Sequence, residues 1–513
     1  MNGVQILLII GVGIAVSAIA KRRGFEPGVI IVVLAAAASF LPGIPRLELD
    51  SELIMAIVIP PLLYSATRGA SFSGFGANLR PIISLGVLLV LVTAGALGLV
   101  ASWLVPSMGL AAFALGSVLA PPDTITTVSH GEETGLPKRV TSILTGESLV
   151  NDATALTLFS IALAAVDGQH TTVGRGVGEF FRTAFLGIGI GLLLGVLTLW
   201  IRKRLGHPTL ETALVMLLPF TAFLAAEEVH ASGILAVVVA SFSVSVNLTL
   251  DPKHQYPGAY RTRLQEESVW PVIDFLLETF VFAYIGLQLR FVLADLAESD
   301  DPGLIRTLIA AGVLLVVAIV VRIGGVYALF GRWALSNRMT ERQVARDPAF
   351  ARRRQQRQER RTARGGGQPL GPPSGRETLL VGWTGMRGII TLAAAAAVPQ
   401  TTSSGAPFPG RDAIQAIALV VTLGTLLIQG TTLGRLTRWL KFDVRAERAE
   451  AEQMRETGRR IAAEAATDDD PDTAFEQQRL ALGRAVMQRQ LDEDTARRLI
   501  EDIDLREAAR HTH

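Results

Sequence analysis

The stretch that decides the fold is Leu144–Ala164, LTGESLVNDATALTLFSIALA. It is apolar enough to cross a bilayer, yet Glu147, Asn151 and Asp152 lie near its middle. A charged side chain at mid-membrane costs roughly 2.5–3.5 kcal/mol, so such residues are rare and usually line a pathway. At about 100° per residue, these three and Ser148 fall within an arc of about 140°, so one helix face is polar and acidic. We predict that Asp152 binds an ion that crosses the membrane. A structural polar network between packed helices is the alternative.

The composition of the chain is typical of a membrane protein. Its 513 residues are 50% hydrophobic and only 18% charged, whereas about a quarter of the residues in a soluble protein are charged. Apolar runs long enough to span a bilayer recur along the chain. The chain has no cysteine, which excludes disulfides and thiolate metal sites. Residues 4–20 are followed at once by Lys21, Arg22 and Arg23. This is the reverse of a cleaved signal peptide and predicts a first transmembrane helix.

Hydropathy and charge together predict an all-α polytopic membrane protein with thirteen transmembrane helices. Basic residues concentrate in alternate loops, whereas the loop 291–303 is acidic. The positive-inside rule then places the N-terminus outside and the C-terminus in the cytoplasm. The predicted spans are residues 4–20, 26–41, 50–65, 81–104, 108–131, 137–166, 174–201, 210–229, 232–249, 268–289, 304–335, 378–399 and 411–439.

Composition also divides the chain into a transmembrane domain, residues 1–441, and a cytoplasmic tail, residues 442–513. Within the first, residues 338–376 are rich in arginine and then in glycine and proline, which predicts a disordered cytoplasmic linker. The tail has helical patterns at 444–466 and 474–510. A regulatory or dimer-contact module and a solubilising tail both remain open. Its predicted apolar seam is Leu480, Leu482, Ala485, Val486, Leu499, Ile500, Ile503 and Leu505.

Two of the spans carry helix-breaking sequences next to charged residues. The fifth has Pro121 and Pro122 directly before Asp123, and the twelfth has the glycine-rich segment 382–388 with Arg387 at mid-depth. Breaks at membrane depth are tolerated inside protein or beside water. Because these spans are seven apart, they run in opposite directions, as in an inverted repeat of spans 1–6 and 8–13. We predict that Asp123 and Arg387 neutralise the partial charges of the broken helix ends. Simple proline and glycine kinks are the alternative.

A series of motifs follows the same order as these spans. They are Pro60–Tyr64, Asp123, Gly146–Asp152, Ser232–Val238, Ile285–Leu289, Arg322 and Gly385–Gly388, with Leu491–Ile500 in the tail. In this order they resemble the monovalent cation:proton antiporter family of sodium/proton exchangers, in its bacterial branch. The resemblance covers most of residues 1–441.

The resemblance implies a role for the residues of the acidic face. Asp152 is similar to the family's essential carboxylate, which binds either the cation or a proton. Asn151 matches the asparagine associated with electroneutral exchange. Glu147 resembles the acid that pairs with an arginine on the eleventh span, here Arg322. The family commonly has threonine before the acid of the fifth span, where this chain has Pro122. The implied ion-binding residues are Asp152, Asn151, Asp123, Ser148 and Thr124, with Na⁺ on Asp152 and Asp123.

The resemblance also implies an architecture and an activity. The architecture is a dimerisation domain and a six-helix core, spans 4–6 and 11–13, that moves as an elevator within a homodimer. The activity is secondary active exchange of Na⁺, or of Li⁺ or K⁺, for H⁺ across the bacterial inner membrane, without net charge movement. No enzymatic activity, cofactor or nucleic-acid partner is implied.

Three other classes share part of this pattern. A cation channel has a polar pathway but needs no titrating ion site. An intramembrane aspartyl protease also uses two aspartates, here Asp123 and Asp152, but its usual Gly-x-Gly-Asp context is absent. A primary pump needs a nucleotide-binding loop of the Gly-x-x-x-x-Gly-Lys-Ser/Thr type, which the chain lacks. Exchange is therefore the prediction, with a monovalent cation channel or a K⁺/H⁺ antiporter as the alternative.

Overall fold

The structure is a computed structural model of the whole chain and is all-helical in its regular elements. It describes residues 3–23, 27–42, 44, 46–47, 53–68, 79–123, 136–168, 173–250, 259–298, 303–347, 349–350, 352–353, 355–356, 371–466 and 470–511. Among these residues the extended structure is one isolated bridge between Thr401 and Pro407. The all-α prediction is confirmed.

The helices of the first half are α1 (Gly3–Arg22), α2 (Pro27–Ser39), π1 (Ile54–Val58), α3 (Ile59–Arg68), α4 (Leu79–Ile83), π2 (Ser84–Leu89), α5 (Val90–Leu104), α6 (Ala111–Leu119), α7 (Lys138–Val166), α8 (Val173–Leu205), α9 (Pro208–Glu228) and α10 (Gly233–Leu250). Those of the second half are α11 (Ala259–Glu298), α12 (Leu304–Arg346), α13 (Gly375–Trp383), α14 (Ile389–Ala396), α15 (Arg411–Thr425), π3 (Leu426–Gly430), α16 (Thr431–Leu440), α17 (Arg445–Ala465), α18 (Pro471–Met487) and α19 (Glu493–His511).

Eight helical stretches of the described chain are long and apolar enough to cross a bilayer. Three shorter apolar helices, Pro27–Ser39, Ile54–Arg68 and Gly233–Ser245, overlap the second, third and ninth predicted spans. The count of thirteen stays a prediction, because part of the fifth span lies outside the described residues. The eight long stretches are Val4–Arg22, Leu79–Leu104, Lys138–Val166, Phe181–Leu205, Pro208–Glu228, Ala259–Glu298, Leu304–Arg346 and Arg411–Leu440.

Two helices extend beyond their predicted spans. The tenth span was predicted at 268–289, but α11 runs over 40 residues. Helix α12 continues through residues 338–346, which the sequence assigned to the disordered linker. Hydropathy reports only the apolar part of a helix, whereas helix-forming residues such as arginine and glutamate extend it into water. Helix α13 begins at Gly375, where Ser374 and Glu377 form a reciprocal capping box.

The chain is not helical at the two predicted break points. Helix α6 ends at Leu119, and residues 121–123 have no regular structure. Proline lacks a backbone N–H and clashes with the preceding turn, which explains the stop before Pro121. Helices α13 and α14 are separated by the five residues 384–388. The path of the chain after Asp123 lies outside the described residues.

The contacts divide the chain into two compact units. The first comprises Met1–Leu62, Ala77–Phe181 and Phe275–Lys441, and contains the acidic face of α7. The second comprises Leu63–Gly76, Arg182–Asp274 and Phe442–His513.

In the second unit the tail folds as a three-helix module with its own core. Leu482, Leu499 and Ile500 are buried in this core, as the seam predicts, whereas Leu505 is 52% exposed. Leu491 takes a core position instead, because the predicted region 474–510 is divided between α18 and α19. The buried carboxylate of Asp504 accepts hydrogen bonds from Arg263 on α11, at 2.7 Å, and from Arg479 on α18, at 2.7 Å. The tail is therefore anchored to the start of α11 within this unit.

Candidate ion-binding site

Helix α7 carries the predicted acidic face, and the structure buries it. Glu147 and Asn151 have no exposed surface, while Ser148 and Asp152 are each 8% exposed. Helix π2 packs directly against this part of α7. A side chain at Gly86 would come within 2.8 Å of Val150, so glycine is what allows the close approach. The four polar side chains are therefore enclosed within the protein.

Glu147 forms a bidentate ion pair with Arg322 of α12. Arg322 Nη2 donates to Glu147 Oε2 at 2.8 Å, and Nη1 donates to Oε1. Nη2 also donates to the carbonyl of Val381 at 3.3 Å. Both side chains are almost fully buried. Each partner therefore compensates the charge of the other in a buried position.

Asp123 lies where the end of α6 meets the segment between α13 and α14. Its backbone N–H donates to the carbonyl of Met386 at 2.6 Å. On the same side, Asn151 Nδ2 donates to the carbonyl of Pro122 at 2.8 Å, which ties α7 to this meeting point. Asp123 is half-buried, and both Asp123 and Glu147 are charged neighbours of Asp152. The structure thus brings Asn151 to the segment that holds Asp123, with Asp152 as the next residue on α7.

Arg387 covers the carbonyl end of α6. Its Nε donates to the carbonyl of Leu119 at 2.9 Å, and its Nη1 donates to the carbonyl of Gly385. Its own backbone N–H donates to Thr425 Oγ1 at 3.0 Å. The last carbonyls of a helix have no intrahelical partner and carry partial negative charge, so a buried guanidinium there compensates both.

Two oxygen atoms of the acidic face find no hydrogen-bond partner among the described residues. They are Asn151 Oδ1 and Ser148 Oγ, and both are buried. Buried polar atoms in native proteins are nearly always bonded, so unpaired ones indicate a ligand or water. Neutral and anionic oxygen atoms are the ligands that a hard cation prefers. Thr124, the remaining predicted ligand, lies outside the described residues.

A sequence profile described as sodium/hydrogen exchanger, transmembrane, matches residues 4–439. The chain belongs to this family. Membership of the exchanger family makes it a transporter of cations and protons and not an enzyme, and its apolar helices make it a multi-pass membrane protein.

Curated relatives and a solved structure agree with the family. An uncharacterized Na⁺/H⁺ exchanger of Mycobacterium tuberculosis H37Rv is 31% identical over 482 residues, which cover 92% of this chain and 80% of the relative. A sodium, potassium, lithium and rubidium/H⁺ antiporter of Bacillus subtilis is 28% identical, over 78% of this chain and 56% of the relative. The fold is similar to that of a sodium proton antiporter from Methanocaldococcus jannaschii, with a TM-score of 0.63 and 16% identity, over 85% of this chain and 97% of that one.

The exchanger's sequence did not point to two features of its structure. Gly388 contacts the Asp123 carboxyl group so closely that a Cβ atom there would clash with it. Arg202 is the first residue after the predicted span 174–201 and begins the basic cluster 202–204. It is 2% exposed and pairs with Glu211 at 3.0 Å and Glu266 at 3.1 Å. A basic cluster at a helix end marks topology, but it does not reveal which of its members finds a buried partner. The sequence did offer one signal for this pairing, because Glu211 and Glu266 lie near the ends of neighbouring apolar segments.

Proposed function

We propose that this exchanger transports Na⁺ against H⁺ through Asp152, with Asp123, Asn151 and Ser148 as further oxygen ligands. The observation that carries the proposal is the enclosed position of Asp152 beside Asp123 and beside two unpaired oxygen atoms. Thr124 completes the proposed ligand set from the sequence.

Glu147 and Arg322 form the structural pair that supports this site, and Arg387 compensates the partial negative charge at the end of α6.

The proposed coupling follows from the burial of one carboxylate. A charged group in the membrane interior has to be neutralised before the site can cross. Either Na⁺ or a proton neutralises Asp152, but not both together. If only the neutralised form crosses, each inward movement of one ion requires the outward movement of the other. Elevator-type alternating access by spans 4–6 and 11–13, within a homodimer, is the proposed movement.

The proposed setting is the bacterial inner membrane, with the N-terminus outside and the C-terminus in the cytoplasm. The distribution of arginine and lysine among the loops supports this orientation. Residues 1–441 form the proposed transport domain, and residues 442–513 form the proposed cytoplasmic tail. No resident cofactor is needed, because the transported ions themselves provide the driving force.

Purified protein in tight proteoliposomes tests the proposal. An outward Na⁺ gradient should acidify the lumen as protons enter in exchange, and reversing the gradient should reverse the pH change. Replacing Na⁺ by K⁺ or Li⁺ distinguishes a Na⁺/H⁺ from a K⁺/H⁺ antiporter. A channel would instead pass Na⁺ without moving protons when the voltage is clamped, and that result would contradict exchange.

We predict that exchange is electroneutral, because Asn151 occupies the position next to Asp152 and cannot titrate. One Na⁺ for one H⁺ moves no net charge, so an imposed voltage should neither drive nor slow the flux. Asn151→Asp adds a second acid on the same face and should make transport voltage-sensitive. The measurement is the proton flux at several potassium–valinomycin potentials. A membrane potential generated by the unmodified protein from a sodium gradient would contradict the assignment.

We also predict that Gly388→Ala weakens Na⁺ binding. The added methyl group would clash with the Asp123 carboxyl group, and a displaced ligand should raise the KM for Na⁺ by about tenfold or more. Gly324→Ala on α12 is the matched control, because a Cβ atom there meets nothing within 4 Å. The Na⁺ dependence of proton flux gives both values. An unchanged KM in Gly388→Ala would remove Asp123 from the ligand set.

A further inference from the structure

Gln429 is a buried side chain that the ion site does not use. It lies in π3 and is 1% exposed. Neither its Oε1 nor its Nε2 has a hydrogen-bond partner among the described residues. An amide buried without partners loses its hydration and gains nothing in return, so native proteins rarely contain one. Short π-helical segments also occur preferentially at functional sites. Gln429 therefore requires an explanation.

A second unpaired polar atom faces the same region. Arg322 uses both terminal nitrogens on Glu147 and Val381, but its Nε has no partner among the described residues. A Cβ atom built on Gly385 would lie 3.0 Å from Arg322 Cγ and 3.5 Å from Gln429 Nε2. Both side chains therefore lie close to Gly385.

We propose that Gln429, Arg322 and Gly385 form a binding site for an ordered water molecule. The water accepts a hydrogen bond from Arg322 Nε–H, and the Gln429 amide offers it an acceptor, Oε1, and a donor, Nε2–H. These are three hydrogen bonds from two side chains, and three is the number that buried waters typically make. Either orientation of the amide allows this pairing, because the amide makes no other bond that fixes it.

The charges near Gly385 favour water over a cation. Arg387 Nη1 lies 3.6 Å from the Cβ position of Gly385, and the unpaired Nε of Arg322 belongs to a second guanidinium group. A cation would be repelled by both. The Arg322 charge is already compensated by Glu147, which leaves a neutral ligand that can both donate and accept. The water site is thus separate from the cation site proposed at Asp152, and it holds whether or not Asp152 binds Na⁺.

The direction in which Gln429→Met shifts the melting temperature tests the water site. If water satisfies the amide, methionine of similar size removes a bonded group and leaves Arg322 Nε poorly paired, so the melting temperature should fall by about 2 °C or more. If the amide has no partner, the same change removes a penalty and the melting temperature should rise. Gln415→Met on α15 is the control, because Gln415 is only partly buried; it should leave the melting temperature nearly unchanged.

Two further measurements identify the ligand. In the background Glu147→Gln/Arg322→Gln, the loss caused by Gln429→Met should shrink to less than half, because the bridged Nε is gone. If Gln429→Met lowers the melting temperature equally in that background and in the unmodified protein, no water joins Gln429 to Arg322. A cryo-EM map in nanodiscs should contain a peak within hydrogen-bonding distance of Arg322 Nε and Gln429. A melting temperature that rises with chloride but not with gluconate would indicate an anion and overturn the assignment to water.

Discussion

We expect Asp152→Asn protein to fold and insert normally but to move no protons in response to a sodium gradient. Asparagine has nearly the same size and keeps an oxygen ligand, but it can neither release a proton nor offer a negative charge. Proton flux in proteoliposomes should fall to that of protein-free vesicles, while the elution profile and melting temperature stay close to those of the unmodified protein.

A matched control separates loss of the site from loss of any carboxylate. Asp167 lies one residue past the end of α7, is exposed and accepts a hydrogen bond from the backbone of Ser403 at 2.9 Å. Asp167→Asn should retain exchange. Substantial sodium-driven flux in Asp152→Asn would remove the central proposal, and Asp123 would become the first alternative carrier.

The second large effect concerns stability. Arg322→Ala leaves Glu147 buried without its partner, which should lower the free energy of unfolding by roughly 3–5 kcal/mol. Arg338→Ala, at an exposed position of the same helix, should change it by less than about 0.5 kcal/mol. Thermal unfolding in detergent, or chemical denaturation in bicelles, compares the two.

The double variant Glu147→Gln/Arg322→Gln shows whether the pair itself matters. Removing both charges avoids a single buried ion, and the two amides can bond to each other. We expect the double variant to recover part of the loss, as in the many proteins where a buried pair contributes little beyond its own desolvation cost. If its loss equals the sum of the two single losses, the two side chains do not act as a pair.

The acidic face of α7 was predictable from the sequence because helical periodicity alone places Glu147, Ser148, Asn151 and Asp152 on one side. The contact between Glu147 and Arg322 joins residues 175 positions apart. Helical periodicity relates only residues of one helix, so the pairing of Glu147 with Arg322 was predicted from the family resemblance. Prolines 121 and 122 predicted the end of α6 because proline acts on its own backbone.

Other features depend on tertiary neighbours and had no local signature. The close approach of Gly388 to Asp123 joins two segments more than 260 positions apart in the chain. The sequence does not show whether a glycine faces lipid or a carboxylate. Gln429 lies inside the predicted span 411–439, where the sequence does not distinguish a buried amide from one that faces a polar surface. The structure places it in π3 with 1% of its surface exposed. Leu505 lies two residues after Ile503 on α19, about 200° around the helix, so it faces away from the core that Ile503 enters. Leu491 reaches the same core from the connection before α19.

The anchoring of the tail has a consequence for how the chain is made. Arg263 and Asp504 are 241 positions apart, and ribosomes add about 5–20 residues per second. Arg263 therefore waits about 12–50 s after its own synthesis before the Asp504 carboxylate exists. During that interval the start of α11 depends on other contacts, and a message truncated before codon 504 never supplies this one. Completion of this part of the protein is thus tied to the end of translation, so shortened products should be preferred substrates for membrane proteases.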